Sequence, residues 1–66
     1  GLGVWMYREP GFDGGKIAAL REGALTILVG GQVEADGYTW IEVMDSRGRV
    51  GWIPEQYLIY LGRPPG

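Results

Sequence analysis

The sequence contains no cysteine and no histidine among its 66 residues. Without cysteine, neither a disulfide framework nor a thiolate metal site is available. Nucleophilic catalysis would have to rest on Ser46, Thr26 or Thr39, with no histidine base to activate the hydroxyl group. Ser46 lies in a turn sequence, where capping the turn is the expected role of a serine. We therefore expect a chain that is not an enzyme.

An excess of basic charge is also missing. The formal net charge is −2, and the basic residues are spread along the chain, which argues against nucleic-acid binding. The carboxylates of Glu34 and Asp36 are expected to be solvated, and Asp13-Gly14 lacks the alternating oxygen ligands of a calcium loop. We expect neither a metal nor a cofactor. Apolar runs are too short to span a bilayer, so membrane insertion is not expected.

What the sequence has is thirteen glycines and four prolines set among short apolar runs. This pattern favours short strands joined by tight turns. Strands are predicted at 4–7, 17–20, 24–29, 40–44 and 49–53, with long loops at 8–16 and 30–37. A 3₁₀ turn at 54–57 and a closing strand at 58–61 follow. The predicted fold is an all-β, five-stranded, partly open barrel over residues 4–61, one strand fewer than the six extended segments. It has a 3₁₀ turn before the last strand, an N-terminal tail at 1–3 and a linker stub at 62–66.

The hairpin at 40–53 is the segment whose register can be derived. Asp45 is expected to pair with Arg49 across a three-residue loop, with Gly48 in the left-handed conformation. Because side chains alternate along a strand, this register fixes every other pair. Val43 then faces Gly51 and Ile41 faces Ile53 on the buried side. On the opposite side Met44 faces Val50, Glu42 faces Trp52, and Trp40 faces Pro54.

Two further expectations concern packing. In the strand at 24–29, Leu25, Ile27 and Val29 are predicted to line the core, with Leu28 covering a secondary cluster. In the first long loop, Phe12 is expected to tuck its ring back onto the body of the domain.

Five motifs follow one another along the chain: Arg8-Glu9-Pro10-Gly11, Ile17-Ala18-Ala19-Leu20-Arg21-Glu22-Gly23, Leu25-Thr26-Ile27-Leu28, Asp36-Gly37-Tyr38-Thr39-Trp40-Ile41-Glu42-Val43 and Gly48-Arg49-Val50-Gly51-Trp52-Ile53. In their order and spacing they resemble the bacterial SH3 (SH3b) family, over roughly residues 4–58. The resemblance implies an SH3-like barrel that serves as a non-catalytic targeting or recognition module. Some members of the family bind peptidoglycan peptides.

The resemblance also suggests which residues would bind a ligand. Eukaryotic SH3 domains dock proline-rich peptides between aromatic residues, and Trp40, Pro54 and Tyr57 are similar to that pattern, with Tyr7 as a possible fourth member. Indole rings are common anchors at binding surfaces. We expect Trp40 and Pro54 to share a solvent-facing wall that binds an extended peptide.

For three aromatic residues, the sequence leaves a packing role and a binding role open. Trp52 either has a packing role, on the neighbouring sheet or on the outer face of the hairpin, or contacts the ligand. Tyr57 either contacts the ligand or directs its hydroxyl group to the backbone. Tyr38 either lines the groove or shields its base. Trp5 and Tyr60 are expected to pack between the terminal strands.

The predicted function is a binding module for an extended peptide or a peptidoglycan stem peptide within a larger bacterial protein. The alternatives are a structural domain that packs against a neighbouring domain or self-associates, and a binder of proline-rich peptides. Because the chain does not begin with methionine, we expect any localisation signal to lie elsewhere in the parent protein. A cell-envelope location is favoured if that parent is secreted.

Overall fold

A computed structural model of the chain describes residues 3–61, apart from the side chains of Ile59 and Tyr60. It contains β1 (Gly3–Tyr7), β2 (Lys16–Arg21), β3 (Thr26–Ala35), β4 (Tyr38–Asp45), β5 (Val50–Pro54) and a 3₁₀ helix (Glu55–Tyr60). The strands form one antiparallel sheet in the order β2-β1-β5-β4-β3. The chain is all-β, as predicted, and consistent with a small SH3-like barrel. The predicted linker at 62–66 and residues 1–2 of the predicted tail lie outside the described residues, whereas Gly3 belongs to β1.

The β4–β5 hairpin has the predicted register at every pair, from Trp40 opposite Pro54 to Met44 opposite Val50. Its loop is also as predicted: the backbone N–H of Asp45 donates to the carbonyl of Arg49 at 2.9 Å, and Gly48 has a φ of 83°. A positive φ is the conformation that glycine adopts without steric cost. The local turn therefore determines which side chains of this hairpin face the core.

The core lies on the inner face of the sheet. The hairpin contributes Ile41, Val43 and Ile53, and the other members of the buried cluster are Val4, Met6, Ala18, Leu20 and Leu61. The first strand pairs with the second strand of the hairpin, because Tyr7 of β1 lies opposite Trp52 of β5. Trp5 does not pack between terminal strands as expected: it is about half exposed, and the Nζ atom of Lys16 lies 4.9 Å from its ring centroid. The side chain of Tyr60 lies outside the described residues.

The predicted strand at 58–61 is wrong. The 3₁₀ helix continues through Leu58 to Tyr60, and the backbone N–H of Leu61 donates to the carbonyl of Leu58 at 3.1 Å. This bond closes a helical turn, which leaves Leu61 buried in the core instead of paired in the sheet.

The predicted loop at 30–37 is mostly strand. β3 runs through Gly30 and Gly31 to Ala35, and a tight turn at Asp36 and Gly37 connects it to β4. Both turn residues have a positive φ, 52° and 79° respectively, which is the pattern of the type I′ hairpin turn. Only these two residues of the predicted loop form a turn, and the segment before them extends the edge strand of the sheet.

The inward orientation predicted for Leu25, Ile27 and Val29 is also wrong. All three side chains are exposed, whereas Thr26 between them is buried. The cause is the pairing of β3 with β4, which places Thr26 opposite the buried Asp45 and Ile27 opposite Met44 on the outer side. Leu28 lies opposite the core residue Val43 yet remains exposed, because β3 is the edge strand and no further strand covers it.

Candidate functional site

The predicted aromatic groove is closed. Trp40 and Pro54 share the outer face of the hairpin, as the register requires, but both side chains are fully buried. The Nε1–H of Trp40 donates to the backbone carbonyl of Ala35 at 2.8 Å, so the polar atom of the indole is satisfied within the chain. The expectation that these two rings form a solvent-facing wall is wrong.

Phe12 is the residue that closes the groove. Its ring centroid lies 4.9 Å from that of Trp40, 5.9 Å from that of Tyr7 and 5.5 Å from that of Tyr38, in edge-to-face geometry each time. Tyr7 and Trp40 also meet edge to face at 5.3 Å. The backbone N–H of Phe12 donates to Oδ2 of Asp36 at 2.8 Å, which fixes the loop to the β3–β4 turn. The expected packing of Phe12 onto the domain is confirmed, and it occupies the space a ligand was expected to take.

The remaining predicted site residues differ in accessibility. Tyr7 is buried beneath Phe12, whereas Tyr38 remains 36% exposed at the margin of the aromatic cluster. Tyr57 is half-buried and packs against the core. Trp52 is half-buried and lies over Gly31 of β3. The structure therefore joins Tyr7, Tyr38 and Trp40 with Phe12, a residue that the sequence prediction placed on the body without assigning it to the site.

Five exposed apolar side chains lie along β3 and its N-terminal approach, and three of them are the most exposed large apolar side chains of the described residues: Leu28, Leu25 and Ile27. We call this the β3 apolar surface, and its members are 41–61% exposed: Leu25, Ile27, Leu28, Val29 and Val33. Sequence reasoning missed it, because an uninterrupted apolar run at 27–29 carries no alternation from which to read an inner and an outer face. The length of β3, ten residues at the edge of the sheet, is the feature that would have indicated it.

A bulge interrupts β3 beside this surface. Leu28 pairs with Val43 and Gln32 with Ile41, so three residues of β3 lie opposite one residue of β4. Gly31 lies so close to the outer face of the hairpin that a Cβ atom there would be 2.6 Å from Cη2 of Trp52 and 2.8 Å from Oε1 of Glu42. Only glycine allows the strand to pass beneath the indole ring.

A cleft of about 230 Å³ opens between the bulge and the 3₁₀ helix. Leu28, Ile41 and Leu58 provide its apolar lining, and the carboxylate-bearing residues Glu42 and Glu55 also line it. The cleft is thus apolar in part and acidic in part, and it lies next to the free edge of β3.

The second cavity, of about 680 Å³, lies between the turn after β2 and the β4–β5 turn. Arg21, Arg47 and Arg49 line it together with Glu22 and Asp45, so its charges are mixed. Arg49 is already engaged, because its Nε donates to Oδ2 of Asp45 at 2.7 Å. This cavity therefore does not present a surface of one charge sign.

Asp45 has a structural role in that turn. Its Oδ1 accepts hydrogen bonds from the backbone N–H groups of Arg47 and Arg49 at 2.9 and 2.8 Å. Burial raises the pKa of Asp45, but the hydrogen bonds from Arg49 and Arg47 and the charge of Arg49 outweigh burial and hold the pKa below its usual range. The carboxylate is therefore ionised at neutral pH and stabilises the hairpin turn.

Among the hydroxyl and carboxyl groups considered from the sequence, several are hydrogen-bonded within the chain or buried. Thr39 donates its hydroxyl to Oε1 of Glu34 at 2.6 Å, while Asp36 holds the backbone of Phe12. Thr26 is buried. Within residues 3–61 no group of three or more acidic residues is placed to hold a metal ion, and no helix there is long and apolar enough to cross a membrane.

Comparisons of the chain with known proteins gave no match. No protein-family model matches the chain, and neither the curated proteins nor the solved structures contain a significant match.

Proposed function

We propose that this chain is a non-catalytic interaction module that binds an extended polypeptide segment along the free edge of β3. The observation that supports it is the set of five apolar side chains, 41–61% exposed, on the long edge strand of a small domain. An apolar surface on an edge strand is where proteins commonly receive a partner. Within a larger bacterial protein, the segment is a peptide of another chain or a cell-wall peptide.

The distribution of the exposed residues favours strand addition over docking onto a face. Ile27 lies on the outer side of the sheet and Leu28 on the core side, yet both are exposed. What these two residues share is the edge itself, where the backbone N–H and C=O groups of β3 that point away from β4 have no neighbouring strand. A peptide that pairs with this edge covers side chains on both faces and satisfies those groups, which is the mode of β-strand addition.

The composition of the edge is suited to this mode. Between Thr26 and Val33, β3 has no charged residue and no proline, the residues with which proteins usually protect an exposed edge. The register of an added strand would be limited by the bulge at Gly30 and Gly31, because a bulge disrupts regular pairing. The segment 26–29 is thus the part of the edge best placed to pair.

A second candidate is a structural role, in which a neighbouring domain of the parent protein covers the same surface. The same apolar exposure favours it, since interfaces between domains bury such residues. The two roles differ in the intact parent. The backbone amides of β3 that point away from β4 would exchange with solvent slowly at all times if a domain covers them. If the edge is free, they would exchange slowly only after a peptide has bound.

The test is an NMR titration of the isotopically labelled chain with extended peptides, including peptidoglycan stem peptides. Binding should shift the amide signals of 26–29, and the variant Ile27→Thr/Val29→Thr should bind about tenfold more weakly. Each change replaces an apolar carbon group of the contact by a hydroxyl group, at a cost of roughly 0.8 kcal/mol per carbon group lost. Trp5→Thr is the matched control, because Trp5 is equally exposed but lies on β1. Shifts confined to Phe12 and Tyr38 would assign binding to the aromatic cluster and contradict the proposal.

A further inference from the structure

The cleft beside the β3 bulge combines two kinds of surface. Leu28 and Ile41 line it from β3 and β4, and Leu58 lines it from the 3₁₀ helix. The same cleft is lined by Glu42, which is half-buried, and Glu55, which is exposed. Its volume of about 230 Å³ is several times the roughly 30 Å³ that one water molecule occupies in the liquid. A long side chain with an apolar stem and a polar end fits this combination.

The two carboxylates have no cationic partner in the described part of the chain. The ion pair recorded there joins Arg49 and Asp45, at the opposite end of the hairpin from Pro54 and the 3₁₀ helix. Glu42 and Glu55 therefore give the cleft a negative charge that is not neutralised by the described residues. The partner that complements this charge carries a cation.

The mouth of the cleft is open toward the free edge. Gly30 and Gly31 line it without side chains, and a Cβ atom on Gly30 would meet nothing within 4 Å. Trp52 lies over Gly31, beside Oε1 of Glu42. The ring of Trp52 closes the side of Gly31 that faces it, so the cleft is entered past Gly30.

We infer that the cleft is the subsite for a lysine or arginine side chain of the extended segment that adds to β3. The aliphatic stem of such a side chain packs on Leu28 and Ile41, while its charged end reaches the carboxylates of Glu42 and Glu55. This inference rests on the proposed strand addition, and it specifies the partner further as a segment with a basic residue among apolar ones.

The experiment compares two synthetic heptapeptides of alternating threonine and valine, one with lysine and one with norleucine at the centre. Each is titrated into the labelled full chain while the amide signals of β3 and of Gly30 and Gly31 are followed. The lysine peptide should bind about fivefold more tightly than the norleucine peptide, as expected for partly exposed ion pairs. A third peptide, with glutamate at the centre, should bind more weakly than the norleucine peptide.

Two variants assign the preference to the cleft. In Glu42→Gln/Glu55→Gln, which retains side-chain shape, the preference for lysine over norleucine should fall below twofold. Glu22→Gln is the control, since Glu22 is exposed on the turn after β2, away from the cleft, and the fivefold preference should remain.

Failure of the inference differs from failure of the proposed function. If the lysine and norleucine peptides shift β3 with equal affinity, strand addition stands and the basic subsite is refuted. If none of the three peptides shifts β3, the proposed function is refuted and the subsite with it.

Discussion

Removal of the Phe12 ring is the most direct test of how the aromatic groove is closed. Phe12→Ala deletes the ring that lies over Trp40 and touches Tyr7 and Tyr38. Replacing a fully buried phenylalanine by alanine lowers the free energy of unfolding by about 3–5 kcal/mol. Because Phe12 is 43% exposed, roughly half of that value, about 2 kcal/mol, is expected. In a domain of this size, about 1 kcal/mol lowers Tm by roughly 4–8 °C, so Tm should fall by roughly 8–16 °C.

Two measurements report the change. Thermal unfolding followed by circular dichroism gives the Tm, and hydrogen exchange of the indole N–H groups gives the accessibility of each tryptophan. The Nε1–H of Trp40, which is hydrogen-bonded and buried, should exchange at least about tenfold faster in Phe12→Ala, whereas the signals of Trp5 and Trp52 serve as internal references. Phe12→Leu should lower the free energy of unfolding by only about 1 kcal/mol, because leucine retains most of the apolar volume and only the edge-to-face contacts are lost.

One result would refute the reasoning. If Trp40 stays as protected in Phe12→Ala as in the original chain, and Tm changes by less than about 2 °C, the ring does not close the groove. The burial of Trp40 would then come from the hairpin and Pro54 alone.

Three further predictions concern substitutions of single residues. Folding lowers the pKa of Asp45, so its ionised carboxylate stabilises the fold at pH values above the ordinary pKa of 3.8, and this stabilisation is lost as the pH falls below that value. In urea unfolding, Asp45→Asn should lower the free energy of unfolding by about 2 kcal/mol at pH 7. The same variant should lose less stability than the original chain when the pH is lowered. Gly51→Ala should destabilise by about 3 kcal/mol or more in the same assay, because its Cβ would lie 2.5 Å from a core methionine side chain and 2.7 Å from a backbone oxygen of β1. Gly31→Ala should move the indole signal of Trp52 in an NMR spectrum, because a Cβ there would lie 2.6 Å from Cη2 of that ring.

The hairpin shows what local sequence can determine. Asp45 and Gly48 specify a turn, the turn specifies the register, and the register orients every side chain from Trp40 to Pro54. All of these interactions join residues within one hairpin, so the reasoning needs no knowledge of the rest of the chain. For the same reason it could predict which face Trp40 occupies but not what covers that face.

What covers Trp40 depends on a contact between distant parts of the sequence. Phe12 and Asp36 are 24 residues apart, and their hydrogen bond brings the loop after β1 onto the β3–β4 turn. Nothing in either segment alone identifies the other as its partner. The error on β3 has a similar origin: an apolar run such as Ile27–Leu28–Val29 suits a buried strand, and only the sheet order shows that this one is an edge.

The closed groove also bears on where a partner binds. Phe12 is covalently tethered to the domain, so it competes for the aromatic groove at an effective concentration of about millimolar, as for a short flexible linker. A peptide that inserts a ring or a proline beside Trp40 must first displace Phe12 and its hydrogen bond to Asp36. No described strand occupies the free edge of β3, so a partner there displaces no neighbouring strand. Between two surfaces of similar intrinsic affinity, we therefore expect a partner to fill the edge first.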